Sequence, residues 1–388
     1  MALKLNSSSG GSVTLQEPTT ASNYTLTVPA QTGTIATTVD AGNYYAFKNR
    51  IINGNMAIDQ RNAGASVNNA LGDTFSVDRW KLSGGVASKL SIQQNAGSVT
   101  PPNGFINYIG LTSLSAYSIG AGDYFILQQA IEGLNCSDLA WGTANASTVT
   151  LSFWVRSSLT GTFGGALRNS ASNRNYPFTY TINSANTWEQ KSITVAGDTT
   201  GTWLTTNGIG LSVGFNLGTG STYSGTAGSW TSSTVFSATG ATSVVGTNGA
   251  TFYITGVQLE KGTVATSFDY RPYGTELALC QRYCFKINTT TSNECIATMF
   301  SYNGSSLFGS LVFPVTMRAA PTFTYSSTSH FQVLYAGSST TPTDMATNQQ
   351  STQASNVYAA VPVTVTSGQG CVLRGNSNSG WLQYSAEL

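Results

Sequence analysis

The residue types that carry out acid–base or nucleophilic chemistry are few and scattered in this sequence. There is one histidine, His330, in the stretch STSHFQVLY, with no G-x-S-x-G motif and no metal-binding histidine pair. The 16 acidic residues permit a pair of catalytic carboxylates about 5–10 Å apart, as glycoside hydrolysis requires. Most have a structural interpretation: Asp78 and Asp269 lie beside arginines, Asp138 lies in a turn, and Glu276 lies in a predicted first helical turn. The sequence therefore favours a protein that is not an enzyme, with glycan cleavage as an alternative.

Five cysteines could form disulfides or bind a metal: Cys136, Cys280, Cys284, Cys295 and Cys371. Their odd number and their scatter through a long chain favour free thiols in a reducing cytosol. The C-x3-C spacing of Cys280 and Cys284, with Cys295 beyond it, lacks the paired spacing and the histidines of structural zinc sites. We therefore expect free cysteines that pack as small apolar side chains, and no metal or other cofactor.

Aromatic and amide side chains in turns could instead bind a sugar. An aromatic face stacks on the apolar side of a pyranose ring, and amides and hydroxyls bind its hydroxyl groups. The candidates in the last hundred residues are Tyr302 and Asn303 in SYNGSS, His330, and Trp381 after GNSNSG. Tryptophan in a β-protein more often fills a core, and we assign Trp80, Trp141 and Trp154 to packing.

Composition argues against several classes of protein. Charged residues make up 9% of the chain, against about 25% in an average soluble domain. The 17 basic and 16 acidic side chains give a net charge of +1 and form no basic cluster, so nucleic acid is not an expected partner. Neither the opening MALKLNSSSGG nor any later stretch has the apolar run of a secretory signal or of a membrane span. We therefore expect no membrane insertion.

Alternation of apolar and polar residues predicts an all-β protein of several modules, because 388 residues exceed one usual domain. In residues 1–45, two thin alternating runs, Ser12–Leu15 and Tyr24–Val28, are too short to bury a face alone. We expect this N-terminal segment to associate with copies of itself or with a larger body, and a flexible leader is the alternative.

Two larger modules follow this segment. Residues 46–272 contain clear alternating runs at 147–157, 190–197, 208–217 and 251–260, separated by turn-rich stretches. Several strands at this spacing without helices predict a β-sandwich of the jelly-roll type. Residues 287–388 return to a β pattern with six to eight candidate strands, which is enough for a second, C-terminal sandwich.

A short helix is predicted between the two modules, over residues 273–286. Leu277, Cys280 and Cys284 recur at spacings of three and four, and Thr275 is a candidate N-cap. About three turns are not stable alone in water, so this helix must pack against something. We interpret it as a joint that presents Leu277, Cys280 and Cys284 to neighbouring chains or to the adjoining sandwich.

Two resemblances to known families rest on quoted motifs. NRIINGNMAI at 49–58 and FYITGVQLEKG at 252–262 resemble the first and last strands of jelly-roll carbohydrate-binding modules. A set of stretches along the chain resembles bacteriophage tail-fibre proteins of environmental and cyanobacterial phages. These stretches are SVTLQEPTTASNYTLTVPAQTGTIA, GDTFSVDRW, GLNCSDLAWGTA, FDYRPYGTELALCQRY and FPVTMRAAPT.

The resemblance to carbohydrate-binding modules implies a structural calcium ion, bound by an acidic residue at the end of the first motif and another inside the last motif. This sequence has no acidic residue at those positions. They fall on Ala57 and on Thr255 or Gly256, none of which carries a carboxylate. Asp59, Asp78 and Glu260 are left as candidates for a displaced site. We therefore carry no calcium over from the resemblance.

The tail-fibre resemblance implies an elongated homotrimer in the virion, attached to other virion proteins through residues 1–45. It implies adsorption by binding a host surface glycan or lipopolysaccharide, without catalysis. A purely structural virion protein (capsid decoration, collar or fibre shaft) and a glycan-cleaving tailspike are the alternatives. Exposure of the C-terminal module distinguishes an adhesin from a shaft protein.

Overall fold

The computed structural model describes residues 3–6, 12–15 and 48–388, in two compact units, Met1–Gly42 and Asn43–Leu388. In the first unit, β1 (Leu3–Asn6) pairs antiparallel with β2 (Ser12–Leu15), which is one of the two predicted runs. The other run, 24–28, lies outside the described residues. Everything below concerns the second unit.

The first part of this unit is a β-sandwich of two six-stranded sheets whose neighbouring strands are all antiparallel. We call it the central sandwich. Its strands are β3 (Val67–Asn68), β4 (Gly72–Phe75), β5 (Lys81–Gly84), β6 (Leu90–Gln94), β7 (Ile109–Ser113), β8 (Tyr124–Glu132), β9 (Val149–Ser157), β10 (Gly161–Arg168), β11 (Asn175–Ile182), β12 (Glu189–Val195), β13 (Ile209–Thr219), β14 (Ser224–Gly225), β15 (Ser237–Ala238) and β16 (Thr251–Lys261). The sheet orders are β11-β10-β13-β8-β5-β4 and β12-β9-β16-β7-β6-β3, and β14 and β15 form a small parallel pair.

The core of the central sandwich lies between these sheets and is rich in aromatic rings. Phe153 of β9 and Phe215 of β13 come from opposite sheets, and their ring centroids are 4.9 Å apart. Both rings are fully buried, as is Trp80, and each such burial stabilises the fold by roughly 1.5–3 kcal/mol. The predicted strands at 147–157, 190–197, 208–217 and 251–260 are β9, β12, β13 and β16, and the all-β prediction is confirmed.

The predicted opening strand at 49–58 is wrong, because this segment is irregular. Asn53 and Met56 both have φ of 57°, in the left-handed region that a strand cannot use. The Asn49 side chain instead fixes the segment to β16, donating to the Val257 carbonyl and accepting from Leu259 N, both at 3.0 Å. Two backbone hydrogen bonds also join the segment to β16, from Arg50 N to Leu259 O and from Val257 N to Gly54 O, so the Asn49 side chain supplements an incomplete backbone ladder.

One helix, α1 (Tyr273–Gln281), follows the central sandwich. It is shorter than predicted, since Cys284 already begins the next strand, three residues before the predicted module boundary. The expected N-cap at Thr275 is also wrong, because Pro272 occupies the cap position with no side-chain hydrogen bond. Short 3-10 turns occur at Ala96–Ser98, Gly133–Asn135, Ser137–Leu139, Ser221–Tyr223 and Thr328–His330. No helix in the described part of the chain is long and apolar enough to cross a membrane.

The C-terminal sandwich has ten strands in two sheets around its own core. They are β17 (Cys284–Asn288), β18 (Cys295–Ser301), β19 (Ser306–Val312), β20 (Thr322–Tyr325), β21 (Phe331–Tyr335), β22 (Ser338–Thr340), β23 (Asp344–Ala346), β24 (Ala354–Ala360), β25 (Gly370–Gly375) and β26 (Trp381–Ser385). The sheet orders are β17-β26-β20 and β22-β21-β25-β18-β19-β24-β23. The sequence predicts only six to eight strands, since β22 and β23 have three residues each and show no alternation of their own.

Two kinds of contact join the sandwiches, and the first is apolar. Cys280 and Tyr283 are fully buried against Ile52 and Ile58 of the opening segment, with Leu277 half-buried beside them. Cys284 is also fully buried. These contacts lie within one chain, so the cysteines of the predicted joint face the adjoining sandwich and not solvent.

The second kind of contact is ionic and involves the last residues of the sequence. Glu387 accepts from Arg61, at 2.9 Å, and from Arg79, and all three side chains are less than 10% exposed. The Arg79 guanidinium also lies 3.5 Å from the centroid of the Tyr283 ring. Arg318 donates to the carbonyl oxygens of Ala386 and Glu387. The tail after β26 is thereby held against the central sandwich.

Candidate functional site

A row of aromatic side chains crosses the outer face of the seven-stranded sheet. Phe300 of β18 lies opposite Phe308 of β19, and Phe308 lies opposite Tyr358 of β24. The ring centroids are 6.4 Å apart in the first pair and 5.4 Å apart in the second. Tyr302, just after β18, meets Phe308 edge to face at 5.7 Å. We call Phe300, Tyr302, Phe308 and Tyr358 the aromatic row.

The row points away from the core because side chains alternate along a strand. Met299, Leu307 and Val357 face inward and are buried. Phe300 is 49% exposed and Tyr302 is 65% exposed, although both are large apolar rings. A contiguous exposed aromatic surface of this kind marks a binding or contact surface.

Amide side chains flank the row and form a groove with it. The groove has a volume of about 520 Å³ and is lined by Phe300, Tyr302, Phe308, Gly309, Ser310, Asn348, Gln349 and Asn356. Asn356 Nδ2 donates to Asn348 Oδ1 at 2.6 Å, and Asn348 N donates to Asn356 Oδ1 at 3.1 Å. These two hydrogen bonds hold the turn after β23 against β24. The Gln349 amide has no hydrogen-bond partner within residues 48–388, so it faces the groove with both its donor and its acceptor atoms available.

The predicted residues Tyr302 and Asn303 lie on the hairpin at one end of the groove, and only Tyr302 lines it. Asn303 Oδ1 accepts from Ser306 N at 3.1 Å, which closes the hairpin turn. Asn303 thus has a structural contact that the sequence analysis did not assign to it.

His330 and Trp381 lie elsewhere in the same module. Ser326 Oγ links them: it lies 3.0 Å from His330 Nδ1 and accepts from Trp381 N at 3.1 Å. Phe331 pairs with Gly375 and Phe300 pairs with Gly370, five residues away along β25, which is about 17 Å at 3.4 Å per residue. The four predicted residues therefore do not form one site, and Tyr302 is separate from the pair His330 and Trp381.

Sequence reasoning missed Phe300, Phe308 and Gln349. A signal for the first two is present in MFSYNGSSLFGS, where an aromatic residue directly follows a core residue, Met299 or Leu307. A strand with one solvated face carries a polar residue at that position. Gln349 gives no such signal, because only the pairing of β24 with β19 brings it to the aromatic row.

The candidate calcium residues are occupied by protein donors. Asp59 accepts from Asn62 N at 2.9 Å and from Gly64 N at 2.7 Å. Glu260 accepts from Thr266 Oγ1 at 2.6 Å, and buried Asp78 accepts from Gln60. Within residues 48–388, no group of three or more His, Cys, Asp or Glu side chains is placed to hold a metal ion.

A smaller cavity of about 210 Å³ lies in the central sandwich near Trp141 and Trp203. Both indole N–H groups donate to backbone carbonyls, of Ser147 at 2.7 Å and of Thr200 at 3.2 Å. The two rings meet edge to face at 4.7 Å. These contacts identify a packed aromatic cluster, in agreement with the packing assignment of Trp141.

Comparison with known proteins gives distant similarities only. No family model and no curated protein matches the sequence. Among solved structures, the enzymatically active domain of bacteriophage CBA120 tailspike protein 4 matches over 55% of this chain and 22% of that chain, at 13% identity and a TM-score of 0.31. A family 11 carbohydrate-binding module from Clostridium thermocellum, solved with a β-1,3-1,4-mixed-linked tetrasaccharide, matches over 51% and 100%, at 11% identity and a TM-score of 0.27. A CBM4 structure matches over 54% and 98%, at 15% identity and a TM-score of 0.27. All three TM-scores are below 0.5, so we infer function from the residues themselves.

Proposed function

We propose that this protein is a non-catalytic fibre protein of a bacteriophage virion, which adsorbs to the host by binding a surface glycan in the groove beside the aromatic row. The observation that carries the proposal is an exposed aromatic row next to the amide of Gln349, unpaired within residues 48–388, on the C-terminal sandwich. The resemblance of the sequence to tail-fibre proteins supports the virion assignment.

The groove has the chemistry that a sugar needs. Phe300 and Tyr302 offer ring faces that exclude water from the apolar side of a pyranose, and Asn348, Gln349 and Ser310 offer donors and acceptors for its hydroxyl groups. The rings are already ordered by Phe308, so binding costs little side-chain entropy.

The same lining does not favour cleavage. No carboxylate, histidine, lysine or cysteine lines the groove, so it lacks the pair of carboxyl groups that most glycoside hydrolases use. The protein would therefore hold its glycan without changing it.

A homotrimer attached through residues 1–45 completes the proposal, on the strength of the tail-fibre resemblance. Three identical grooves on one particle would raise the overall affinity for a repeating surface polymer by avidity, without any new contact. Weak binding in each groove is then sufficient for adsorption.

The test measures binding of the full-length protein to a panel of immobilised bacterial lipopolysaccharides and capsular polysaccharides. Tyr302→Ala and Phe300→Ala are compared with Tyr273→Ala, because Tyr273 and Tyr302 are equally exposed, at 65%. We expect each groove variant to lose about tenfold or more in affinity and Tyr273→Ala to bind like the unmodified protein.

Three results would count against the proposal. Sugar released in the same samples would indicate a tailspike enzyme. Absence of binding by folded protein across the panel would favour a purely structural virion protein. A change of oligomeric state in Phe300→Ala, measured by light scattering, would identify the aromatic row as a subunit contact.

A further inference from the structure

A second groove lies in the C-terminal sandwich between two edge strands, β20 of the three-stranded sheet and β23 of the seven-stranded sheet, and includes the turn after β23. It has a volume of about 590 Å³ and is lined by Thr322, Phe323, Thr324, Tyr325, Met345, Ala346, Thr347 and Gln350. The Phe323 and Tyr325 rings lie 5.9 Å apart at 31°, and both are half-buried. Like the first groove, it combines two aromatic rings with hydroxyl and amide groups.

The turn between β23 and β24 is shared by the two grooves. Asn348 and Gln349 line the first groove, and Thr347 and Gln350 line the second. The Gln350 side chain donates to Thr347 Oγ1, and the Gln350 backbone forms an isolated antiparallel β-bridge with Ser355. Since consecutive residues of this turn line both grooves, the grooves lie on either side of it.

Strand pairing gives the distance between them. Phe300, Phe308, Tyr358 and Ala346 are successive partners across four neighbouring strands, and Ala346 lines the second groove. Three strand spacings of about 4.8 Å give about 14 Å from Phe300 to Ala346. A pyranose ring built from bonds of about 1.5 Å is roughly 5 Å across, so about three sugars cover this distance.

We propose that the two grooves form one continuous track for an uncharged glycan chain of at least three sugars. This inference rests on the proposed function and specifies its ligand. The aromatic pairs Phe300–Tyr302 and Phe323–Tyr325 would hold the two ends of the bound segment. The amides of the shared turn, above all Gln349, would bind the sugar hydroxyls between them.

The absence of charge selects the class of glycan. Every side chain that lines either groove is uncharged. A nearby carboxylate, that of Asp344, accepts from the Tyr325 hydroxyl at 3.3 Å at the edge of the second groove. No lining cation would compensate the desolvation of an acidic sugar, and Asp344 would repel it, so neutral sugars are favoured.

The experiment uses the full-length protein and the neutral and acidic polysaccharides of the binding panel, each hydrolysed to oligosaccharides of about two to eight sugars. The variants are Tyr302→Ala in the first groove, Tyr325→Ala and Gln350→Ala in the second, and Tyr335→Ala as a control. Tyr335 is half-buried like Tyr325 but lines neither groove. Thermal unfolding of each variant shows whether it is folded, and Gln350→Ala tests the second groove without removing an aromatic ring that packs on the core.

We expect Tyr302→Ala to weaken binding at every length. Tyr325→Ala and Gln350→Ala should weaken it about fivefold or more only for chains longer than about three sugars. Affinity should change less than about twofold between about 50 mM and 500 mM salt, because no ion pair forms.

Two results would overturn the inference and leave the proposed function intact. One is unchanged binding of long chains by both second-groove variants when Tyr302→Ala loses binding. The other is binding of acidic oligosaccharides alone, with strong salt dependence. Failure of the unmodified protein to bind any member of the panel would instead reject the proposed function itself.

Discussion

Arg282, just after α1, donates two hydrogen bonds to the carboxylate of Glu132 at the end of β8, from Nε at 2.9 Å and from Nη2 at 2.5 Å. The Tyr283 hydroxyl donates to the same carboxylate at 2.6 Å. Burial alone would raise the pKa of Glu132, but the hydrogen bonds from Arg282 and Tyr283 outweigh it and hold that pKa below its usual range. The segment that joins the two sandwiches is therefore anchored by a charged contact.

Replacing Arg282 by alanine should destabilise this junction. The Glu132 side chain is 1% exposed and would lose its cation, whereas that of Arg282 is 28% exposed, so we expect the lower end of the ~3–5 kcal/mol range for broken buried pairs. Urea unfolding of the full-length protein measures the difference. Lys261→Ala, which breaks an exposed pair with Asp138, is the control and should cost less than about 1 kcal/mol. Equal effects of the two variants would contradict the anchoring role of Arg282.

Stability should also fall as pH rises from about 5 to 8, because of Asp78. Burial raises its pKa to about 7, against the opposing hydrogen bonds of Gln60 and the charge of Arg61. A carboxyl whose pKa is raised on folding binds more protons in the folded state, so its stabilising effect is present at low pH and is lost as pH rises through about 7. The expected loss is about 2–3 kcal/mol.

Asp78→Asn is the matched variant for this effect, since it keeps the shape of the side chain and does not titrate. Unfolding free energies at pH 5 and pH 8 should differ for the unmodified protein and be nearly equal for Asp78→Asn. The same decline in both proteins would show that Asp78 is not its source.

Thiol reactivity should distinguish one cysteine from the other four. Cys295 is exposed, whereas Cys136, Cys280, Cys284 and Cys371 are buried. Burial raises the pKa of Cys136 to about 11 and that of Cys284 to about 12, which removes the reactive thiolate at neutral pH. Ellman's reagent should therefore titrate one thiol rapidly in folded protein and five in guanidinium, and none rapidly in Cys295→Ser. Two or more fast thiols in folded protein would contradict the burial of this set.

Asn49 should be essential to the central sandwich although it touches no candidate ligand surface. Its side chain bonds the Val257 carbonyl and the N–H groups of Ile51 and Leu259, each at 3.0 Å. Alanine would leave three buried backbone groups unsatisfied, at about 1–3 kcal/mol each. We expect a loss of at least about 3 kcal/mol in denaturant unfolding. The exposed Asn183→Ala should change stability by less than about 0.5 kcal/mol, and a similar value for Asn49→Ala would contradict this role.

The fold class was predictable because alternation is a local property. β9 and β16 show it clearly, although most residues on both faces of each strand are buried. The opening segment was not predictable in the same way, since Asn49 bonds to Val257 of β16 and Asn53 N donates to Glu276 of α1, each more than 200 residues away. The segment at 49–58 lies beside β16 without forming a strand, and the Asn49 side chain bonds to β16.

The candidate site was predictable only in part for the same reason. Tyr302 stands in an evident hairpin turn, and turn chemistry is readable from sequence. Tyr302 and Gln349 line the same groove only because the strands are ordered β18-β19-β24-β23, and no local sequence pattern specifies that order. His330 and Trp381 have equally suitable side chains, but His330 precedes β21, which pairs with the far end of β25 from Phe300, and Trp381 begins β26 in the other sheet.

The C-terminal sandwich is fastened to the central one at both of its chain ends. The chain enters through Arg282 and Tyr283, and after β26 it returns to Arg61 and Arg79 through Glu387. The first and last strands are also neighbours, with Cys284 paired to Ser385. Two sets of contacts on adjacent strands restrict rotation of the C-terminal sandwich relative to the central one. Under the proposed function, a pull on a bound glycan would therefore be shared by both sets of contacts and pass to the central sandwich.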